Sequence, residues 1–380
     1  MSIFTIIRFV AVAVNLYLIF RLYRALPGTG RMRVVRLASC LLAFFCFAAF
    51  PLSRVIEGDG FFIRALTILG TSWLAFMFYA FLLLLGVDLV RALNRRWRWR
   101  VVPRMDLPRW HRRGCAMIVG AALTICILGH INTQFPVLRE AYLPAPPGVA
   151  PLKIAVLSDI HLGRLVSPEY LARLVARIQP EEPDLVLFVG DILDDHYGFD
   201  AQANREILAR LKPPLGIWGV LGNHEYLAGE AEKSLRAIEA SGIAILRDAW
   251  VAPGGGLVLV GRDDRSRQRF TGTARQPLPT LLATLPDELR KKPMILMDHQ
   301  PFNLEEVEAA DAFLQLSGHT HNGQLFPLNW IIRLVYENPR GHHRRGQTQY
   351  WVSSGAGTWG PRIRTNSRPE IVLIHLSVPV

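Results

Sequence analysis

The chain has 380 residues, 51% of them hydrophobic and only 19% charged, with a formal net charge of +12. That length exceeds one ordinary domain, and the composition excludes a disordered chain or an average soluble enzyme throughout. The charge is uneven: residues 1–140 carry 18 Arg, no Lys and five acids, a net +13, whereas residues 141–380 come to −1.

The basic excess therefore belongs to the apolar half, not to a nucleic-acid-binding face on a globular domain. Four apolar stretches, about 3–20, 37–56, 65–90 and 115–135, approach the roughly 20 residues needed to cross a ~30 Å hydrocarbon core. Arg8 interrupts the first, but no small-x-small cleavage site follows, so it reads as an anchor. Residues 1–135 are expected to form a transmembrane region of about four helices, multi-pass in the cell (inner) membrane.

Arg21, Arg24, Arg31, Arg33 and Arg36 crowd the first loop, and nine more Arg lie between 91 and 113. Basic residues beside spans are retained on the cytoplasmic side. The fourth span then carries the chain outward, and the region after residue 136 is expected to be extracytoplasmic. The string Arg95-Arg96-Trp97-Arg98-Trp99-Arg100 suits a headgroup layer with anionic lipid. Membrane lipids are thus expected partners and nucleic acid is not. Only Arg8 and Asp88 are ionisable groups near the spans, both close to ends, which argues against a channel or transporter. All four cysteines precede residue 130, so the C-terminal 240 residues hold neither a disulfide nor a thiolate metal site.

Residues 136–151 contain five prolines and no helical or strand periodicity, which predicts an extended linker. From residue 152 the texture changes to short apolar runs ending in polar clusters. Leu152–Leu157, Leu185–Val189, Leu215–Leu221, Leu257–Val260, Met294–Met297 and Ala312–Leu316 read as buried strands. Ser167 followed by Pro168 predicts a helix start, with the helix running to Ile178 before Pro180. Strand, polar loop and helix repeated in this way predict an α/β domain over 152–380, with ligand groups on loops at strand ends.

Those loops carry Asp159 and His161, Asp191 and Asp194, Asn223 and His224, His299, and His319 with His321. Imidazole nitrogen with carboxylate oxygen is a ligand set for Mn, Fe, Zn or Mg. Seven ligand groups drawn from this set exceed one tetrahedral site and suit two divalent ions about 3.5–4 Å apart, which polarise a phosphoryl group and acidify a bridging water.

Asp159-x-His161, Gly190-Asp191-x-x-Asp194, Gly222-Asn223-His224-Glu225, His299 and Gly318-His319-x-His321 resemble, in order and spacing, the motifs of calcineurin-like metallophosphoesterases. With the ending Ser354-Gly355-Ala356-Gly357-Thr358-Trp359-Gly360 and the apolar N-terminal half, the chain is most similar to the membrane-anchored or exported bacterial branch. The resemblance spans about residues 152–376. It implies a four-layer α/β/β/α sandwich with two mixed sheets and two divalent metal ions, and an ester cleaved by a metal-bridging hydroxide. It further implies that Asp159, His161 and His321 hold one ion, that Asn223, His299 and His319 hold the other, and that Asp191 bridges them. His224 would be the catalytic acid, with Asp194 orienting a ligand or water and Glu225 standing where Asp is commoner.

The expected substrate is a phosphorylated small molecule or a lipid or envelope phosphoester, as monoester or diester. One alternative is a pyrophosphohydrolase like that acting on UDP-2,3-diacylglucosamine, which needs a cytosolic nucleotide sugar and conflicts with the Arg pattern. Another is a family member that binds metal without turnover. His196 and the basic clusters at 262–269 and 340–345 are further candidate substrate contacts. No Gly-x-Ser-x-Gly elbow or Gly-x-x-x-x-Gly-Lys loop occurs.

Overall fold

The computed structural model describes residues 3–97 and 108–377. Arg98, Trp99, Arg100 and Arg104 of the basic loop lie outside them. Contacts divide the chain into two units, one holding residues 1–131 and 361–363, the other residues 132–360 and 364–380.

The first unit holds helices α1 (Ile3–Ala25), α2 (Gly30–Val55), α3 (Phe61–Trp97) and α4 (Pro108–Thr133). All four are long and apolar enough to cross a membrane. With no aqueous driving force between helices in lipid, close approach of small residues supplies the packing. Ala49 and Ser53 on α2 are fully covered, and a Cβ at Gly70 on α3 would stand 2.3 Å from the Phe50 nitrogen. Polar contacts join α1 to α3: Trp73 Nε1 donates to Asn15 Oδ1 at 3.0 Å, and Tyr17 OH and Arg21 Nη1 both donate to Asp88 Oδ2, at 2.7 and 2.5 Å. Asp88 is thus a structural partner of Arg21.

The second unit contains two six-stranded sheets. Its strands are β1 (Val137–Pro144), β2 (Leu152–Leu157), β3 (Leu185–Val189), β4 (Ile217–Val220), β5 (Ala244–Ile245), β6 (Ala249–Gly254), β7 (Leu257–Gly261), β8 (Met294–Met297), β9 (Leu314–Ser317), β10 (Gly341–Arg345), β11 (Thr348–Val352) and β12 (Glu370–Ser377). The first sheet has order β1-β12-β2-β3-β4-β5 and the second β10-β11-β9-β8-β7-β6. Both are mixed: β2, β3, β4 and β5 run parallel, as do β7, β8, β9 and β11, while β12 is antiparallel to β2 and β6 to β7.

Strand alternation sorts the core into layers, because successive side chains face opposite sides of a sheet. Ala155, Leu157, Val186 and Phe188 face an outer layer formed by α5 (Pro168–Ile178), α6 (Ala201–Leu208) and α8 (Ala231–Ala240), with the short α7 (Asn223–Leu227) just before α8. Ile154, Val156, Leu185 and Leu187 face Leu259, Ile295, Met297 and Leu316 between the sheets. On the far side Val258, Val260 and Leu296 meet α10 (Leu278–Ala283) and α12 (Leu304–Ala309), in the stretch that also holds α9 (Arg267–Thr271) and α11 (Asp287–Arg290). One more helix, α13 (Leu328–Val335), follows β9. This is the expected four-layer sandwich.

Residues 136–151 are not a free linker. Residues 137–144 form β1, paired in parallel with β12 from Val137 opposite Glu370 to Pro144 opposite Ser377. The edge of a sheet tolerates the flanking Pro136 and Pro144, and a period-2 signal is present, since Ala141 and Leu143 are buried while Glu140 and Tyr142 are exposed. Its partner stands more than 220 residues away, which hides the pairing from local reading. His375 of β12 stacks on Tyr142 with ring centroids 4.6 Å apart, a structural role. Ser167 does precede α5, but its side chain makes no cap hydrogen bond.

Leu187, fully covered between the sheets, provides a test of the layering. Leu187→Ala should destabilise the fold by about 2–5 kcal/mol through lost burial and a cavity. Guanidinium unfolding of the detergent-solubilised chain, followed by near-ultraviolet circular dichroism, would measure it.

Candidate metal centre

The motif residues converge at one end of the parallel strands. Asp159 and His161 follow β2, Asp191 follows β3, Asn223 opens α7 after β4, His299 follows β8, and His319 and His321 follow β9. Backbone hydrogen bonds join these loops: Asp159 N donates to Gly190 O, His161 N to Asp191 O and Gly318 N to His299 O, all at 2.9–3.0 Å. Ligand-capable atoms of Asp159, His161 and His321 form one group, those of Asp191, His299 and His319 a second, and those of His161, Asp194 and His224 a third, each within 4.8 Å.

Five of these residues hold left-handed backbone: Asp159, His161, Asp191, His319 and His321, with φ between 46° and 68°. That region costs a side-chain-bearing residue about 1–3 kcal/mol and persists only where surroundings over-determine it. Here it turns each side chain back over the strand end. The glycines beside the ligands answer a second constraint, close approach: a Cβ at Gly222 would stand 2.2 Å from Asp191 Oδ1, and one at Gly318 2.3 Å from Asp159 Oδ2.

The imidazoles are oriented by what they touch from behind. His299 Nδ1 lies 2.8 Å from the Val189 carbonyl, and its Nε2 lies 3.1 Å from Asp191 Oδ2. His321 Nδ1 lies 3.0 Å from Arg364 Nη2, and its Nε2 stands 3.3 Å from Asp159 Oδ1 and 3.1 Å from His161 Nε2. Burial, then the Arg364 guanidinium, hold His321 well below the usual histidine range, so the ring stays neutral as a ligand must. Burial alone would raise the Asp191 carboxyl, but the imidazoles of His299, His224 and His161 outweigh it and hold Asp191 well below the carboxylate range. Asp191 Oδ1 also accepts the His224 backbone N–H at 2.8 Å.

His224 is set apart from the ligand rings by its partner, since Nδ1 lies 2.8 Å from Asp194 Oδ1. Burial opposes its charge, but Asp191 and Asp194 together raise its pKa to about 9. Asp194 also stands 3.6 Å from His161 Nδ1.

Two residues to which the motifs assign no role organise the site. The fully buried Glu225 carboxylate accepts the backbone N–H groups of Asp191, Ile192, Leu193 and Gly222 at 2.6–3.2 Å, holding the Asp191 loop against the start of α7. Its place three residues after Gly222 is the spacing of a helix-capping carboxylate, a signal readable in sequence. Arg364, also fully buried, donates to Gly357 O and Ser367 Oγ besides facing His321, and no sequence pattern marks it. His196, by contrast, is placed 3.5 Å from Ser234 on α8. The basic clusters are largely engaged in the fold: Arg262 donates to Gln276 O, Arg267 to Asp263, Arg340 to Glu370 and Arg345 to Glu308 and Glu337.

The donor set fits divalent cations. Asn223 Oδ1 is buried without a hydrogen-bond partner among the described residues, an arrangement that costs energy unless a cation meets it. Imidazole nitrogens, carboxylates and an amide oxygen, without thiolate, suit Mn, Fe, Zn or Mg.

Comparison with known proteins agrees with this geometry. Residues 152–323 match the family described as calcineurin-like phosphoesterase. An uncharacterized metallophosphoesterase of Aquifex aeolicus is 35% identical over 261 residues, covering 67% of this chain and 97% of its own. Another, from Helicobacter pylori, is 30% identical over 286 residues, covering 72% and 75%. A transmembrane protein with metallophosphoesterase domain from Bos taurus is 31% identical over 308 residues, covering 74% and 66%. With a donor cluster at the strand ends of two mixed sheets and a 35% identical relative matched over 97% of its length, this chain belongs to the calcineurin-like metallophosphoesterases.

Proposed function

We propose that the chain is a membrane-anchored phosphoester hydrolase that binds two divalent cations and cleaves a phosphomonoester or phosphodiester of the cell envelope, with its catalytic domain extracytoplasmic. The buried His224–Asp194 pair beside the two donor groups carries the reading. A centre that only stored metal would need no imidazole paired to a carboxylate at 2.8 Å beside its donor groups.

Asp159, His161 and His321 would hold one cation, Asn223, His299 and His319 the other, and Asp191 would serve both. When bound, such ions polarise a phosphoryl group and acidify a water. The remaining roles belong to the protein. Glu225 fixes the Asp191 loop, and Arg364 keeps His321 neutral. Asp194 takes Nδ1 of His224, which leaves Nε2 to hold the proton that the departing oxygen needs.

Asp191→Ala should lose most bound metal together with activity, because the carboxylate that both donor groups share is gone. Elemental analysis reads this directly, and two metals per chain in an active mutant would defeat the dinuclear assignment.

His224→Ala should keep its metal but lose about 10²- to 10⁴-fold in turnover of a substrate with a poor leaving group, the range for general acid catalysis. A nitrophenyl ester, whose leaving group needs no proton, should lose less. Equal losses on both would count against the proton-donor role.

The orientation rests on the basic loops. Nine Arg between 91 and 113 could face outward only by crossing an energised bilayer, at roughly 2.3 kcal/mol per charge per 100 mV beyond desolvation. Protease added to intact spheroplasts should therefore digest a C-terminally tagged domain. Full protection until lysis would reverse the orientation and favour a cytosolic nucleotide-sugar substrate.

A further inference from the structure

Eleven large apolar side chains are exposed among the described residues of the second unit, and five fall between positions 326 and 335: Phe326, Trp330, Ile331, Leu334 and Val335. Leu334 is 87% exposed. At 3.6 residues per turn, Trp330, Leu334, Ile331 and Val335 of α13 share an arc of about 140°. The opposite side is anchored, with Asn329 and Tyr336 buried. Arg333 is exposed at the flank of the apolar arc. Apolar side chains headed by Trp and bordered by Arg are the pattern of a helix lying in a membrane interface.

We propose that α13 is a membrane-docking helix that buries this face in the bilayer to which the chain is anchored. Chain connectivity supports that occupant over a protein. Only residues 134–136 separate the end of α4 from β1, about 14 Å at full extension from Thr133 to Val137. On either side of the membrane, the domain therefore starts beside the bilayer. Two helical turns, about 12 Å long, also fall far short of the roughly 800 Å² per partner of a stable protein interface. A domain already tethered needs only such a shallow contact.

The helix is joined to the metal centre by one hydrogen-bonded segment. Gln324, three residues after His321, accepts from Trp359 N at 3.0 Å and donates to Trp359 O at 2.9 Å, while Phe326 N donates to Thr365 Oγ1. The Phe326 ring packs against Trp330 at 5.3 Å, and Trp359, itself half-exposed, lies 6.3 Å from the His224 ring. Docking α13 thus sets Trp359 and His224 at the headgroup layer. Resting on the hydrolase reading above, this narrows the substrate class to phosphoesters carried by membrane-resident amphiphiles.

The test uses the full chain with Cys40, Cys46, Cys115 and Cys126 replaced by Ala or Ser, a nitroxide on Leu334→Cys, and reconstitution into phosphatidylethanolamine–phosphatidylglycerol vesicles. Power saturation should show a ratio of oxygen to nickel-chelate accessibility several-fold higher at 334 than at a Glu206→Cys control on α6. Equal ratios at the two sites would overturn the proposal. So would protection of 334 from both reagents, which would mean that protein covers it. In the otherwise native chain, brominated lipid should quench a fluorescence component that Trp330→Tyr removes. An unquenched component would overturn docking independently of the cysteine substitutions. Docking without turnover of any phosphoester would defeat the hydrolase reading alone, and turnover with an aqueous label at 334 would defeat docking alone.

Discussion

Three aspartates and five histidines share one buried end of the sandwich: Asp159, Asp191, Asp194, His161, His224, His299, His319 and His321. Much else in the domain answers that constraint. Taking so many ionisable groups out of water is costly unless opposite charge and directed hydrogen bonds compensate. The left-handed backbone of five of the ligands and the absence of a Cβ at Gly222 and Gly318 let the side chains crowd together. Glu225 and Arg364 then fix the crowd from behind. One gathers the N–H groups of the Asp191 loop, and the other holds His321 and the Gly357 carbonyl. On the proposed reading, divalent cations would complete the balance.

Much of this arrangement was legible in the amino-acid order. Each ligand follows a short apolar run, and a run that ends in Gly-Asp, Gly-Asn or Gly-His marks both the strand end and the tight approach that only glycine permits. What escaped was non-local. β1 looked like a proline-rich tether because its partner β12 lies at the other end of the chain. Glu225 looked like a mild departure from a commoner Asp. It spans four backbone donors in two loops, and its reach matters as much as its charge. Arg364 gave no signal, since an isolated Arg in a loop resembles any solvated Arg until the fold covers it.

The apolar N-terminal unit and the exposed face of α13 belong to one physical problem. An enzyme in water gains nothing from Trp330 and Leu334 at its surface, and a patch of this kind on a free domain invites aggregation. In a chain held beside a bilayer the same residues have a low-dielectric partner within reach. The placement of α13 directly after the His319–His321 segment then puts the proposed docking face within a few residues of the donor loop.

Charge in the domain follows a related logic. Asp263 gathers Tyr226, Arg247 and Arg267, Arg275 meets Asp298 at 2.9 Å, and Glu370 takes Arg139 and Arg340. The carboxylates of these pairs are buried while most of the arginines are partly exposed, and a buried carboxylate left without its partner is costly, so these arginines are committed to the fold. Of the two basic clusters, Arg265 differs in its surroundings. It lies over the face of Phe302, which packs on Tyr336, which in turn stands 6.1 Å from His319. In a hydrolase of the proposed kind, a guanidinium at the end of an aromatic series leading to His319 would meet part of a substrate away from the reacting phosphorus. On the proposed reading, the donor cluster takes the phosphoryl group, the Trp359 side meets apolar substance, and charge recognition beyond the centre falls to the Arg265 side.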